Sequence, residues 1–333
     1  TLSMTIRYVG IGDFSWSITD SPDWLTFVPS ESGRGENYQD VGPPKRESIK
    51  SLRKPSPSSK SPSSRSITDT VQVIVDRSQL DIGITEDQFT VSTNFGDDTV
   101  YVSVEGLYAG PVWYISTEGN DSNYGTEESP FATIQHGIDV SSDGDTVLVQ
   151  PGTYTGYTEI DKNNLTLASQ YLFSNTNSVI DQTILRNEHN VYDNDRVIVL
   201  DDGVQSISII GFTIQDGHAA NGLNGGAMYM NNSDDILIDH CVFKNNQSES
   251  SDEGSQNGYG GAISITSSNC AISNTIFENN NAKHGGAIAL LSQWDGTLNL
   301  DNCVFNNNTT TTGIGADIYI WQGSILTINI NNS

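Results

Sequence analysis

Two short motifs recur in alternation along the C-terminal two thirds of the chain, and together they leave few folds open. The first closes a strand with a phenylalanine: SIIGFTI, DHCVFKNN, SNTIFENN and DNCVFNNN, at Phe212, Phe243, Phe277 and Phe305, with intervals of 31, 34 and 28 residues. The second is a glycine pair before a small residue: Gly225-Gly226-Ala227, Gly260-Gly261-Ala262, Gly285-Gly286-Ala287 and the variant Gly315-Ala316, with intervals of 35, 25 and 30. Fixed motifs at unequal spacing imply a constant rung with loops of variable length, here at Glu249–Gly258 and Thr309–Gly313. A parallel β-solenoid satisfies this, because each coil buries its inward side chains between neighbours about 4.8 Å above and below. Phe then stacks on Phe. The paired glycines permit a tight bend where a larger side chain would collide. Asn245-Asn246, Asn279-Asn280 and Asn307-Asn308 follow Phe at a constant offset, and asparagine both tolerates left-handed corners and forms hydrogen-bonded ladders.

Composition narrows the function. Of 333 residues, 41 are acidic and 15 basic, a formal charge of -26. Residues 111–333 hold 26 acids and 5 bases. Such a surface lacks the cations that phosphates require, so nucleic acid is not an expected partner. No apolar run approaches the ~20 residues of a membrane helix. Cys241, Cys270 and Cys303 do not make a disulfide framework. Cys241 and Cys303 fall two coils apart, roughly 9–10 Å, too far for a bridge. The chain opens on Thr1 with no visible leader and closes just after a strand at Ile325–Ile330, so we expect a fragment, truncated at the C-terminus. A monomer is expected.

Residues 1–106 read differently. Alternating runs at Phe14–Ile18, Val71–Val75 and Thr99–Val104, with turn signals between them, indicate a small β-sandwich. Lys45 to Arg65 holds seven basic residues and eight serines. We read 37–68 as a disordered basic Ser/Pro-rich insertion. Trp16 and Trp24 read as core. FSWSITDSPDWLTFVPSESGRG, followed by VQVIVDRSQLDIGITEDQFTVSTNFGDDTVYVSVEG, resembles a BACON-type immunoglobulin-like module, a type that commonly accompanies carbohydrate-active domains.

The second domain spans 111–333, with an N-terminal cap at 111–156. Trp113–Ser116 reads as a strand, Phe131, Ile134 and Ile138 as one face of a short helix, and Thr146–Gln150 as a buried strand. WYISTEGNDSNYGTEESPFATIQHGIDVSSDGDTVLVQPGTYTG is similar to the opening cap of secreted right-handed parallel β-helix proteins. The alternating glycine and Phe-x-x-Asn motifs resemble the repeats of polymorphic outer-membrane proteins. The fold class is therefore all-β: a pectate-lyase-like, right-handed parallel β-helix preceded by an immunoglobulin-like sandwich.

Chemistry is harder to place. Hydrolases acting on polysaccharides need paired carboxylates, and lyases need calcium held by carboxylate oxygens plus a basic residue. Candidate catalytic residues are Asp201, Asp202, Asp216, His218, Asp235, Asp239 and His240. Arg186 and Arg196 are the nearest cations, and successive coils would bring such groups onto one wall. Asp193, Asp195, Asn120 and Asp121 are candidate calcium ligands. Asp201-Asp202-Gly203 and Ser233-Asp234-Asp235 equally suit turns. Ile238-Asp239-His240 resembles a segment of pectate lyases. The Gly-His-Gly and Arg-Ile-Lys segments of polygalacturonases are missing. His284, beside Gly285, reads as a surface turn residue.

The expectation is a secreted or cell-surface bacterial β-helix protein that engages extracellular polysaccharide, surface glycan or host matrix. Two alternatives stand beside it: a lyase or hydrolase on acidic glycans such as pectin, and a structural spacer. Whether the chain is an enzyme stays open at this point.

Overall fold

The computed structural model describes residues 2–10, 16–29, 48–49, 65–76, 80–93, 96–187, 195–200, 202–220, 222–250, 257–291, 296–312, 314–321 and 326–331. The chain divides between Leu107 and Tyr108 into two units.

In the first unit, two antiparallel sheets share one apolar core. One orders Leu2–Gly10, Arg65–Val75 and Leu25–Pro29; the other orders Ser48–Ile49, Trp16–Thr19, Gly83–Thr93 and Gly96–Gly106. Trp16, Trp24, Phe27, Val71 and Phe89 are buried, and the Phe27 and Phe89 rings meet edge-on at 4.8 Å between centroids. Both tryptophans are thus core, as their strand positions indicate. The insertion is shorter than read from composition. Ser48–Ile49 pairs with Trp16 and Ser17, and Arg65–Thr68 pairs with Arg7–Gly10. The remainder of 37–68 lies outside the described residues. Leu2–Gly10 was not legible as a strand, because its partner is some sixty residues away along the chain.

The second unit is a right-handed parallel β-helix of about six coils. Three parallel sheets of eight, six and six strands form its walls, and a short four-stranded ladder lies between the second and third. The fourth coil shows the path: Asp234–Asp239 in the first sheet, Val242–Lys244 in the second, Gln247–Ser248 in the short ladder and Ile263–Thr266 in the third. Thr309–Thr310 belongs to that short ladder, not to a variable loop. The cap contributes Val112–Ile115 to the first sheet and a helix, Ile134–Val140, begun by Thr133, whose hydroxyl accepts from the His136 backbone N–H. Two short helices, Tyr171–Ser174 and Asn177–Gln182, interrupt the second coil and were not anticipated.

In-register stacking holds the coils together. Phe243, Phe277 and Phe305 are aligned partners with rings 5.2 and 5.0 Å apart, nearly parallel. Phe212 is not in that stack. Ile214 lies under Phe243, and Phe212 falls under Cys241, in the column continued by Thr275 and Cys303. A ring fits there because its column neighbours Thr183 and Cys241 are small, and all three are buried. The cysteines are free, as their spacing requires, and burial pushes the Cys241 and Cys270 thiols up to about 12.

The corner after the second sheet carries the asparagines. Asn245, Asn279 and Asn307 have φ of 56°, 54° and 52°, the left-handed turn that redirects each coil. The following asparagines point inward and are buried. Asn246 Nδ2 donates to Asn280 Oδ1 at 3.0 Å, and Asn280 Nδ2 donates to Asn308 Oδ1 at 3.0 Å. The same oxygens accept the Asn246 and Asn280 backbone N–H groups, while each Nδ2 also reaches a carbonyl of the coil below. The glycine corner has its own logic. Gly225, Gly260 and Gly285 are left-handed, and a Cβ on Gly226, Gly261 or Gly286 would lie 2.2 Å from a carbonyl oxygen of the next coil.

Removing a middle member of the asparagine ladder orphans buried groups on two coils. Asn280→Ala is expected to cost about 2–4 kcal/mol in urea denaturation, against under about 0.5 kcal/mol for the exposed Asn306→Ala. Equal losses at the two positions would contradict the ladder's structural role.

Candidate functional site

The carboxylates singled out by sequence sit at three different corners of the coil rather than on one wall. Asp202 and Asp235 lie where the third sheet turns into the first. Asp239 and His240 lie where the first turns into the second, and Asp216 and His218 where the second turns toward the third. Coil geometry forces this separation, because turn residues gather wherever the chain turns. Asp193 and Asp201 lie outside the described residues.

Asp202, Asp216, Asp235 and Asp239 each accept a hydrogen bond from their own or a neighbouring rung. Asp202 Oδ1 accepts from Asn231 Nδ2 at 3.0 Å, and Asp235 Oδ2 accepts from Ser206 Oγ at 2.9 Å. Asp216 is a left-handed corner residue at φ 57°, one coil below Asn245, and its Oδ2 accepts from Gln215. In the cap, Asp121 Oδ1 accepts the Ala132 and Thr133 backbone N–H groups and Oδ2 accepts the Thr133 hydroxyl, all at 2.9 Å. Burial alone would raise its pKa. The bonds from Thr133 and Ala132, with His136 nearby, outweigh burial and hold the carboxyl below its usual value. Asn120 Oδ1 accepts the Ser122 N–H and shapes the same loop. Among the described residues no three His, Cys, Asp or Glu side chains gather as a metal site would require.

Two pairs do come together. Asp195 and His218 form a backbone bridge, with N–H···O distances of 3.1 and 2.9 Å, and His218 Nε2 lies 3.6 Å from Glu249 Oε2. Beside them the buried Arg196 donates from Nε to the Asn224 carbonyl at 2.8 Å and holds its guanidinium 4.6 Å above the Tyr229 ring. Burial pulls its pKa down, and Tyr229 and Tyr157 partly offset that.

The second pair is Asp239 with His240. His240 Nδ1 and Asp239 Oδ2 are 2.7 Å apart, both side chains are partly exposed, and the Tyr171 ring lies 4.7 Å from the imidazole. Asp239 Oδ1 also accepts from Ser273 Oγ at 2.6 Å and Asn274 Nδ2 at 2.9 Å. Burial raises the Asp239 pKa, but these bonds and His240 outweigh it and leave the carboxyl below its usual range. His240 occupies the left-handed corner column that continues as Asn274 and Asn302, so local backbone geometry places it there.

An aromatic group on the third sheet was missed. Tyr259, His284 and Tyr319 stack with centroids 5.0–5.3 Å apart, and Trp321 meets Tyr259 edge-on at 5.6 Å. His284 therefore does more than turn the chain. Its ring is stacked, and Nδ1 is 2.9 Å from Thr312 Oγ1. Burial, then Lys283, lowers its pKa. The sequence signal was there: Tyr259 and His284 each precede a glycine pair, and the residues four beyond the first glycine, Ser264 and Ala289, are small and buried beside large Tyr229 and Tyr319 in one column.

Parts of the chain are similar to known proteins. The family model described as a protein of unknown function, DUF1565, matches residues 117–162, the cap and first coil. The uncharacterized protein YwoF of Bacillus subtilis is 28% identical over 226 residues, covering 65% of this chain and 45% of YwoF. The chain thus spans less than half the length of that relative. Among solved structures, a rhamnogalacturonan lyase is similar at 15% identity with a TM-score of 0.38, covering 67% of this chain and 62% of that one. Pectin methylesterase PemA from Erwinia chrysanthemi is similar at 12% identity and 0.38, covering 56% and 54%.

Because the folded pKa of Asp239 lies below the usual 3.8, its contribution to stability is present above that value and is lost as pH falls through the folded one. Asp239→Asn is expected to destabilise at pH 7 by about 1–2 kcal/mol, with the difference from the parent shrinking as the pH is taken below 3.8 and the folded carboxyl is protonated. Denaturation curves on both sides of that value check this.

Proposed function

We propose that this chain is a glycan-engaging β-helix of the cell exterior, acting by binding. The observation that carries this reading is the aromatic group on the outer face of the third sheet. The half-buried Tyr319, His284 and Trp321, backed by Tyr259, offer ring faces and edges on which the C–H face of a sugar can stack. Rungs hold these rings in place, so little ordering is needed on binding. The net charge of -26 repels polyuronates and favours neutral glycans. On this reading the first unit is an immunoglobulin-like, BACON-type accessory module.

A second reading, hydrolysis or elimination on acidic glycans, draws on the Asp239–His240 pair, which has the contact distance of a general base and its orienting carboxylate. The hydrogen bonds that tie Asp239 to Ser273 and Asn274 favour a corner brace instead.

Glycan-array binding combined with product analysis separates the two. The expected result is binding without product release, weakened about tenfold by Tyr319→Ala or Trp321→Ala, the size of a stacking contact. Accumulation of cleaved or unsaturated product that disappears in Asp239→Asn would overturn the proposal.

A further inference from the structure

The first coil has an open side. Gly152–Thr155 is the end strand of the second sheet, paired with Thr183–Arg186 on one edge, and Thr158–Ile160 is the end strand of the third. A bare edge presents unpaired N–H and C=O groups that need partners. The cap deals with the third-sheet edge. The Gln135 side chain accepts from the Glu159 N–H at 2.8 Å and donates to the Glu159 carbonyl at 3.2 Å, standing in for a missing strand. Among the described residues no hydrogen bond of that kind reaches the edge of Gly152–Thr155. A cavity of about 450 Å³ lies against it instead, between the cap segment at Ala132–Gln135 and the first two coils.

Its lining defines what it takes. No lining residue is charged, although residues 111–333 carry 26 acids. Thr117, Thr153 and Thr155 bring hydroxyls, and Tyr154 and Tyr157 bring rings. The Tyr154 hydroxyl is anchored on the Gln150 carbonyl at 2.9 Å, which fixes its ring, whereas Tyr157 is 38% exposed. Thr133, on the cap side of the lining, is tied to Asp121 through its backbone N–H and its hydroxyl.

We infer that this cavity is a binding site for a short neutral saccharide, distinct from the aromatic wall over coils four to six and independent of it. Alternating donors and acceptors along a strand edge match the vicinal hydroxyls of a sugar, and the tyrosine faces match its C–H surface. An uncharged lining gives no counter-ion to a uronate or phosphate. An added peptide strand fits less well, because the open edge is only four residues long.

The test uses the whole chain with cellobiose, lactose, xylobiose and digalacturonate at about 10 mM, enough to reveal millimolar dissociation constants, read by calorimetry and saturation-transfer NMR. At least one neutral disaccharide is expected to bind in preference to digalacturonate. Thr155→Val is expected to weaken it about three- to tenfold, one neutral hydrogen bond's worth. Ala132→Phe, which fills the cavity, is expected to abolish the binding that remains in a Tyr319→Ala background, where the aromatic wall no longer contributes. Unaltered thermal unfolding of each variant separates loss of binding from loss of fold. Absence of binding by every neutral sugar, preference for digalacturonate, or loss of binding through Tyr319→Ala while Thr155→Val has no effect would each overturn the inference. Loss through Tyr319→Ala alone would leave the aromatic-wall reading standing.

Discussion

Each coil of the second unit is stable only because the next one repeats it, and the buried asparagine ladder is where that dependence is sharpest. A polar side chain inside an apolar solenoid is costly unless its donors and acceptors are met. Asn246, Asn280 and Asn308 meet them by bonding to one another and to the backbone. A slip of one residue would orphan several of these groups together and would turn inward side chains outward. The ladder thus fixes register, and register places every other feature: the phenylalanine stack, the close approach of paired glycines, and the order of residues on each outer wall.

That constraint also explains why carboxylates with a catalytic look are found at corners, hydrogen-bonded to neighbouring rungs. Left-handed corners favour Asn, Asp and His. Asp216, Asp235 and His240 occupy such conformations. Once there, their side chains lie one rung from other polar corner residues and bond to them, as Asp235 does with Ser206 and Asp239 with Asn274. Outer positions away from the corners are under no such demand. Tyr319 stands on one, beside Tyr259 and His284 of the glycine corner, and the cap cavity opens where an edge lacks a partner.

Much of the fold was legible. Phe243, Phe277 and Phe305, the paired glycines and the Asn-Asn steps announced a solenoid because stacking demands like residues at like positions. The cap helix was readable from Phe131, Ile134 and Ile138, although Phe131 proved to bridge Ile115 rather than enter the helix. Phe212 misled, since its motif matches while its register differs by two places, and register is a property of the backbone corner at Gly211 and not of the ring. The site was far less legible. Tyr259, His284 and Tyr319 are scattered over sixty residues, and the threonines of the cavity look ordinary in a chain rich in threonine.

By itself, the sequence determined the repeat and the inward or outward facing of its rungs, since both follow from local periodicity and spacing. Tertiary structure alone decided which corner each carboxylate occupies, which rings meet, and which strand edge stays uncovered. Those outcomes depend on loop lengths summed around a coil, and a difference of a few residues there moves a side chain from one wall to another.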